Sequence, residues 1–315
     1  MIKNTSNFFH AEQYHLTWVL VISLVLLIAF KLGLKMNIEL ENAILVIGIL
    51  LGGVPHGAID HIIQKKESLR TGHSFHLGVF YMAYLGVMGI YALFWLFLPI
   101  PSLVFFIVIT AWHFGETDLF QVNFSHQIYR AIVYVFYGLW VILFLLISHL
   151  DSVEVILKSL PLQSVNGFLL LIQLNLKTIY WSFILFGLGI WIVQSLLNKR
   201  PEWFLLELLF FLILLSQIPL FIAFTLYFTG WHSLRSLHEI ASFTGSKLNQ
   251  RRFWLLTIPN TLLAILFLGI LFLVWTKYYP LSSFILLVFI LLSLLTLPHF
   301  IIMHRLYKFG ENNLT

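Results

Sequence analysis

The stretch Leu40–Ile63, LENAILVIGILLGGVPHGAIDHII, decides how this chain is read. It is about as long as a helix must be to cross a bilayer, roughly 20 residues, and its first part is almost wholly aliphatic. Its last part, Gly52-Gly53-Val54-Pro55-His56-Gly57-Ala58-Ile59-Asp60-His61, carries two imidazoles and a carboxylate. Ionisable groups are expensive in lipid, so where they occur inside a membrane segment they mark a candidate functional site. One half of the stretch therefore speaks to the fold and the other to the chemistry.

Apolar runs of the same kind recur at Tyr14–Leu34, His76–Leu98, Ser102–Phe120, Gln127–His149, Thr178–Leu197, Phe253–Thr276 and Leu281–Met303. Pro99 and Pro101 predict a tight turn between two of them. Between Leu197 and Phe253, Gln217-Ile218-Pro219 predicts a break, with a short helix ending near Ser216 and a second running from Pro219 to about Phe243. Charge supports that break. It puts Lys199 and Arg200 on the same side as Lys247, Arg251 and Arg252, whereas one unbroken helix would leave strongly basic loops on both faces. Asp151–Lys177 is mixed in character and reads as an amphipathic interfacial segment. The expectation is an all-α, polytopic integral membrane bundle of about ten transmembrane helices, one of them short or broken near Pro219. It forms a single membrane domain over residues 1–315, placed in the inner (plasma) membrane with both termini cytoplasmic.

Composition agrees. The 315 residues are 60% hydrophobic and 10% charged, with a mean hydropathy of +0.94, far from an average soluble domain. The net charge of +5 reads as Lys and Arg collected in cytoplasmic loops, not as a nucleic-acid surface. Without cysteine there is neither a disulfide nor a thiolate metal site. The first run lacks a basic leader and a small-residue cleavage site, so it reads as a retained helix.

This topology gives His56, His113, His232 and His299 a similar depth, in the inner half of four separate helices. Any one of them alone is as readily explained by a hydrogen bond to a nearby carbonyl. Four together suit a metal centre in the core of a bundle, since neutral imidazole is the commonest metal ligand. Asp60 lies four residues after His56 on the same face of a regular helix, and Glu116 and Asp118 follow His113. Carboxylates so placed are candidates to hold a ligating imidazole in one tautomer. His61, His76, His126, His149 and His304 fall near span ends and read as interfacial; His10, His15 and His73 read as solvated. Gly53 and Gly57 suggest close helix packing.

Four segments occur in the order seen in one known family. They are Pro55-His56-Gly57-Ala58-Ile59-Asp60, His113-Phe114-Gly115-x-x-Asp118, Trp231-His232-Ser233-Leu234-Arg235 and Leu297-Pro298-His299. The set resembles the Brp/Blh family of membrane β-carotene 15,15′-dioxygenases, which make retinal for rhodopsins. The resemblance implies an Fe(2+)-dependent oxygenase that takes β-carotene and O2 in the bilayer and splits the central double bond into two retinals, with a functional link to a rhodopsin. It makes His56, His113 and His232 iron ligands, with Asp60 and Asp118 behind them. The family pattern expects a further histidine four residues after His232, where this chain has Ser236. His238 is the replacement taken here and His299 its rival.

Other classes stay open. A transporter or channel for protons or metal ions would also place His and Asp along a pathway. A zinc hydrolase would show His-Glu-x-x-His, but His238-Glu239 is followed by Ser242 at the last position. A carotenoid-binding protein without catalysis is a further reading. A rhodopsin-like Schiff base needs an intramembrane lysine in a late helix, which is not found.

Overall fold

The computed structural model describes residues 5–120, 127–158, 165–197, 203–244, 250–278 and 284–311. Among them there are helices and turns and no strand. Six helices are long and apolar enough to cross a membrane: Ile38–Arg70, Leu77–Phe97, Pro99–Leu119, Gln127–Ser148, Leu255–Tyr278 and Phe284–Lys308. Thr17–Lys31, within the 27-residue helix Thr5–Lys31, and Leu205–Leu215 are two further apolar helical stretches, so the described residues give six candidate spans of the roughly ten expected. Lys199, Arg200, Lys247, His126 and residues 159–164, all used in reading the topology, lie outside the described residues.

The chain groups into two compact units. The first holds Met1–Leu45 and Trp140–Gly230. Here α1 (Thr5–Lys31) and α9 (Val165–Leu197) pack on α10 (Trp203–Leu215), and α8 (Leu150–Lys158) packs on α9. The expected break is present: α10 ends at Leu215, Pro219 is extended with ψ 143, and α11 (Leu220–Thr225) follows. His149 is structural. Its ring lies 2.7 Å from the carbonyl oxygens of both Leu145 and Ile218, so it serves the backbone opened by that break. The sixth expected span starts earlier than Thr178, because α9 runs unbroken from Val165.

The second unit holds Val46–Leu139 and Trp231–Thr315 and contains every histidine of interest. Its centre is α14 (Phe284–Glu311), which packs on α4 (Asp60–Arg70), α5 (Leu77–Phe97) and α6 (Pro99–Leu119). α12 (Leu234–Thr244) packs on α4 and α6. Ile59, Ile63, Leu237, Ile240, Ile302, Met303, Leu306 and Tyr307 form one buried apolar cluster joining the ends of these helices. Lipid tails are as apolar as leucine, so helix association rests on close packing and buried hydrogen bonds. Trp95 donates to Ser293 Oγ at 2.8 Å and so fastens α5 to α14. The turn at Pro99 is a single residue, Leu98, with proline starting α6, where a missing N–H costs nothing.

The helix containing Leu40–Ile63 is not regular. α2 (Ile38–Gly48) widens into a π-helical segment, Ile49–Gly53, continues as α3 (Val54–Gly57), and turns at Ala58–Ile59 before α4. A second π-helical segment, Leu226–Ser233, joins α11 to α12 and contains His232. π-helical turns are uncommon and concentrate at functional sites.

Candidate metal centre

His56 comes from α3, His113 from α6, His232 from the second π-helical segment and His299 from α14, and all four are buried. Their rings meet edge to face. Centroids are 4.7 Å apart for His56 and His299, 4.9 Å for His113 and His232, 5.1 Å for His113 and His299, and 5.7 Å for His56 and His232. One nitrogen from each of His56, His113 and His299 lies within 4.8 Å of the other two. Both ring nitrogens of His113 and Nε2 of His299 are buried with no hydrogen-bond partner among the described residues. Leaving a buried polar atom unsatisfied costs about 1–3 kcal/mol. A cation accepting the lone pair of one nitrogen from each ring lowers that cost, so the residues present fit a metal ion.

Carboxylates stand behind the rings. Asp60 Oδ1 and Oδ2 lie 2.9 and 3.1 Å from Nδ1 of His299, and the Tyr84 hydroxyl donates to Oδ2 at 3.2 Å. A carboxylate only accepts, so Nδ1 of His299 carries the proton and Nε2 presents its lone pair to the cluster. The turn at Ala58–Ile59 is the reason Asp60 serves His299 and not His56, as four-residue spacing on a regular helix would suggest. Asn260 on α13 (Gln250–Tyr278), next to Pro259 inside that helix, donates to the Ala58 carbonyl and so satisfies the backbone at that turn. The backbone of Gly52 and Gly53, at the end of the first π-helical segment, is within hydrogen-bonding reach of the His56 ring.

Asp118 works across helices. Its Oδ2 accepts from the Tyr137 hydroxyl at 3.0 Å and from Trp231 Nε1 at 3.4 Å, and its Oδ1 lies 3.5 Å from Arg235 Nε. Trp231 and Arg235 flank His232 in sequence, so a carboxylate of α6 holds the segment that carries the histidine. Glu116 pairs with His304 Nδ1 at 2.7 Å, away from the four rings. α6 and α7 (Gln127–Ser148) touch through glycine: a Cβ on Gly115 would sit 2.0 Å from the Tyr134 carbonyl oxygen, and one on Gly138 1.9 Å from that of Ala111.

The profile of a protein family described as beta-carotene 15,15′-dioxygenase matches residues 47–307, which take in all four histidines. The chain belongs to the β-carotene 15,15′-dioxygenase family. A stretch of 105 residues, 33% of this chain, is 35% identical to a protein of Halobacterium salinarum (strain ATCC 700922 / JCM 11081 / NRC-1) called a probable beta-carotene 15,15′-dioxygenase Blh. That stretch covers 30% of the archaeal protein's length. No solved structure matches.

For this dioxygenase-family chain, the structure brings together His56, His113, His232 and His299. His238 sits half-buried on α12, six residues beyond His232, while Ser236 is fully buried at the position where the family pattern expects histidine. Sequence reasoning missed Tyr84, Tyr137 and Asn260, which reach the site from other helices. Only Asn260 left a trace, as a polar residue beside a proline in an apolar run.

Proposed function

We propose that this protein is an iron-dependent membrane oxygenase that cleaves β-carotene at its central double bond. One O2 is consumed per carotene, and one oxygen atom enters each of two retinals. Family membership supports carotene cleavage, and the buried cluster with unsatisfied imidazole nitrogens carries the metal reading. His56, His113, His232 and His299 would hold Fe(2+), with His299 in the place assigned above to His238. Bound there, iron would supply a redox-active Lewis acid with positions open to O2.

The chain's own residues hold and shield. Asp60, fixed by Tyr84, keeps the His299 proton on Nδ1. Asp118 steadies the His232 segment through Trp231 and Arg235. The Phe114 ring centroid lies 4.2 Å from that of His232 and the Phe300 centroid 6.3 Å from that of His113, so apolar rings stand beside the cluster, as a polyene substrate would require. β-Carotene dissolves in the bilayer, so it would enter laterally between helices. The natural setting is the plasma membrane, with both termini cytoplasmic and the retinal passed to a rhodopsin.

Expression in a host that makes β-carotene tests this reading, with retinal extracted and iron measured in the purified protein. Loss of colour with retinal and bound iron supports it. Apocarotenals of unequal length would remove central cleavage; unchanged carotene alongside ion flux in liposomes would favour transport.

A further inference from the structure

The ends of α6, α7 and α14 line a polar cavity of about 180 Å³. Glu116 faces it from α6, Gln127 and Arg130 from α7, and His304 and Lys308 from α14, over an aromatic wall at Trp112. At ~30 Å³ per water it has room for about six, enough for a phosphate group but not for a whole lipid. The acid in its wall is engaged, since Glu116 pairs with His304. Arg130 and Lys308 both lie within electrostatic reach of that same ring, so positive charge from two helices converges on one point. Gln127 opens α7, and the first turn of a helix directs N–H groups and a positive dipole end toward an anion.

We propose that this cavity binds a phosphate-bearing anion, either the headgroup of an acidic phospholipid or free phosphate. Arginine takes two phosphate oxygens at once and lysine adds a point charge. The cavity lies at the ends of three helices long enough to cross a membrane, the level at which basic pockets meet lipid headgroups. Two of its walls are also the helices of the histidine cluster: Glu116 follows His113 by three residues, and His304 follows His299 by five. Occupancy would brace α6 against α14. Anion binding here does not depend on the chemistry at the histidines.

The test uses the full chain in a neutral detergent and follows thermal unfolding with added phosphatidylglycerol, phosphatidylcholine or inorganic phosphate. Phosphatidylglycerol should raise the midpoint, phosphatidylcholine should not, and Arg130→Gln or Lys308→Gln should each weaken binding roughly fivefold. Arg70→Gln, a basic residue outside the cavity, should leave the shift intact. A rise with inorganic phosphate as well identifies free phosphate as a sufficient ligand, and a rise with the lipid alone identifies the headgroup. Should Arg130→Gln fail to fold, Arg130→Lys should keep most of the shift while Lys308→Gln again weakens binding roughly fivefold. No shift with either anion, or a shift unchanged in both cavity variants, overturns the proposal.

Discussion

Replacing Asp60 separates a metal-supporting carboxylate from a merely buried one. Asp60 is buried and serves two donors, Nδ1 of His299 at both carboxylate oxygens and the Tyr84 hydroxyl at Oδ2. Asp60→Ala strands both donors, at about 1–3 kcal/mol each, so roughly 2–6 kcal/mol is lost from a fold whose margin is about 5–15 kcal/mol. Asp60→Asn is gentler. An amide oxygen placed where Oδ2 stands still accepts from both donors, but the amide nitrogen then faces the His299 N–H at 2.9 Å, donor against donor. The variant should fold, and it should hold iron about 10–100-fold more weakly, as replacing the carboxylate behind a ligating histidine generally does. Iron retained per protein against a graded chelator gives the readout, with the thermal midpoint taken in parallel. The expected order of retention is wild type, Tyr84→Phe, Asp60→Asn, Asp60→Ala. If Asp60→Asn and His299→Ala both retain iron like wild type, the Asp60–His299 pair has no part in the metal site and the argument fails.

Other substitutions probe different links. Gly115→Ala drives a methyl into the Tyr134 backbone and should lower the thermal midpoint by the equivalent of about 1–3 kcal/mol, whereas Gly86→Ala, with open space around it, should not. Asp118→Ala takes the acceptor from Trp231 and Tyr137 and leaves the Arg235 guanidinium facing no carboxylate there; breaking such a buried pair costs about 3–5 kcal/mol, seen as a lowered midpoint and reduced iron. His299→Ala should lose iron, and adding Ser236→His should restore part of it if a ligand from α12 can substitute for one from α14; iron content in the two variants decides. Wild-type protein should unfold at a higher temperature with iron than after chelation, since a ligand that binds only the folded state stabilises it.

What could be read from the sequence was whatever depends on run length and local spacing. Apolar runs gave the helical class, Pro219 gave a real break, and a shared depth picked out His56, His113, His232 and His299. Two kinds of feature were not legible. The π-helical segments at Ile49–Gly53 and Leu226–Ser233 leave no mark in an apolar pattern, and a regular period of 3.6 residues places Asp60 behind His56. The turn at Ala58–Ile59 moves it to His299, which is 239 residues away. Tyr84, Tyr137 and Asn260 belong to the second kind, since a hydrogen bond from another helix depends on packing that no local window contains.

The irregularities say something about why the cluster is where it is. His56 follows a π-helical segment and directly follows Pro55; His232 lies inside the other π-helical segment; His299 directly follows Pro298. Pro55 and Pro298 each lack an N–H for the helical ladder, and a backbone group left unpaired in lipid costs several kcal/mol. Some of that cost is met locally, as where Asn260 donates to the Ala58 carbonyl at 2.6 Å. A helix kept regular would present its side chains at fixed angles of about 100° per residue, which leaves little freedom to converge rings from separate helices on one point. The π-helical segments beside His56 and around His232 supply that freedom, and the second also bears on how Ser236 is tolerated. In a regular helix, the position four residues after His232 would be the natural source of another ligand. With a π-helical segment ending at Ser233, and with His299 already turned inward by Asp60, the cluster has a fourth imidazole without it.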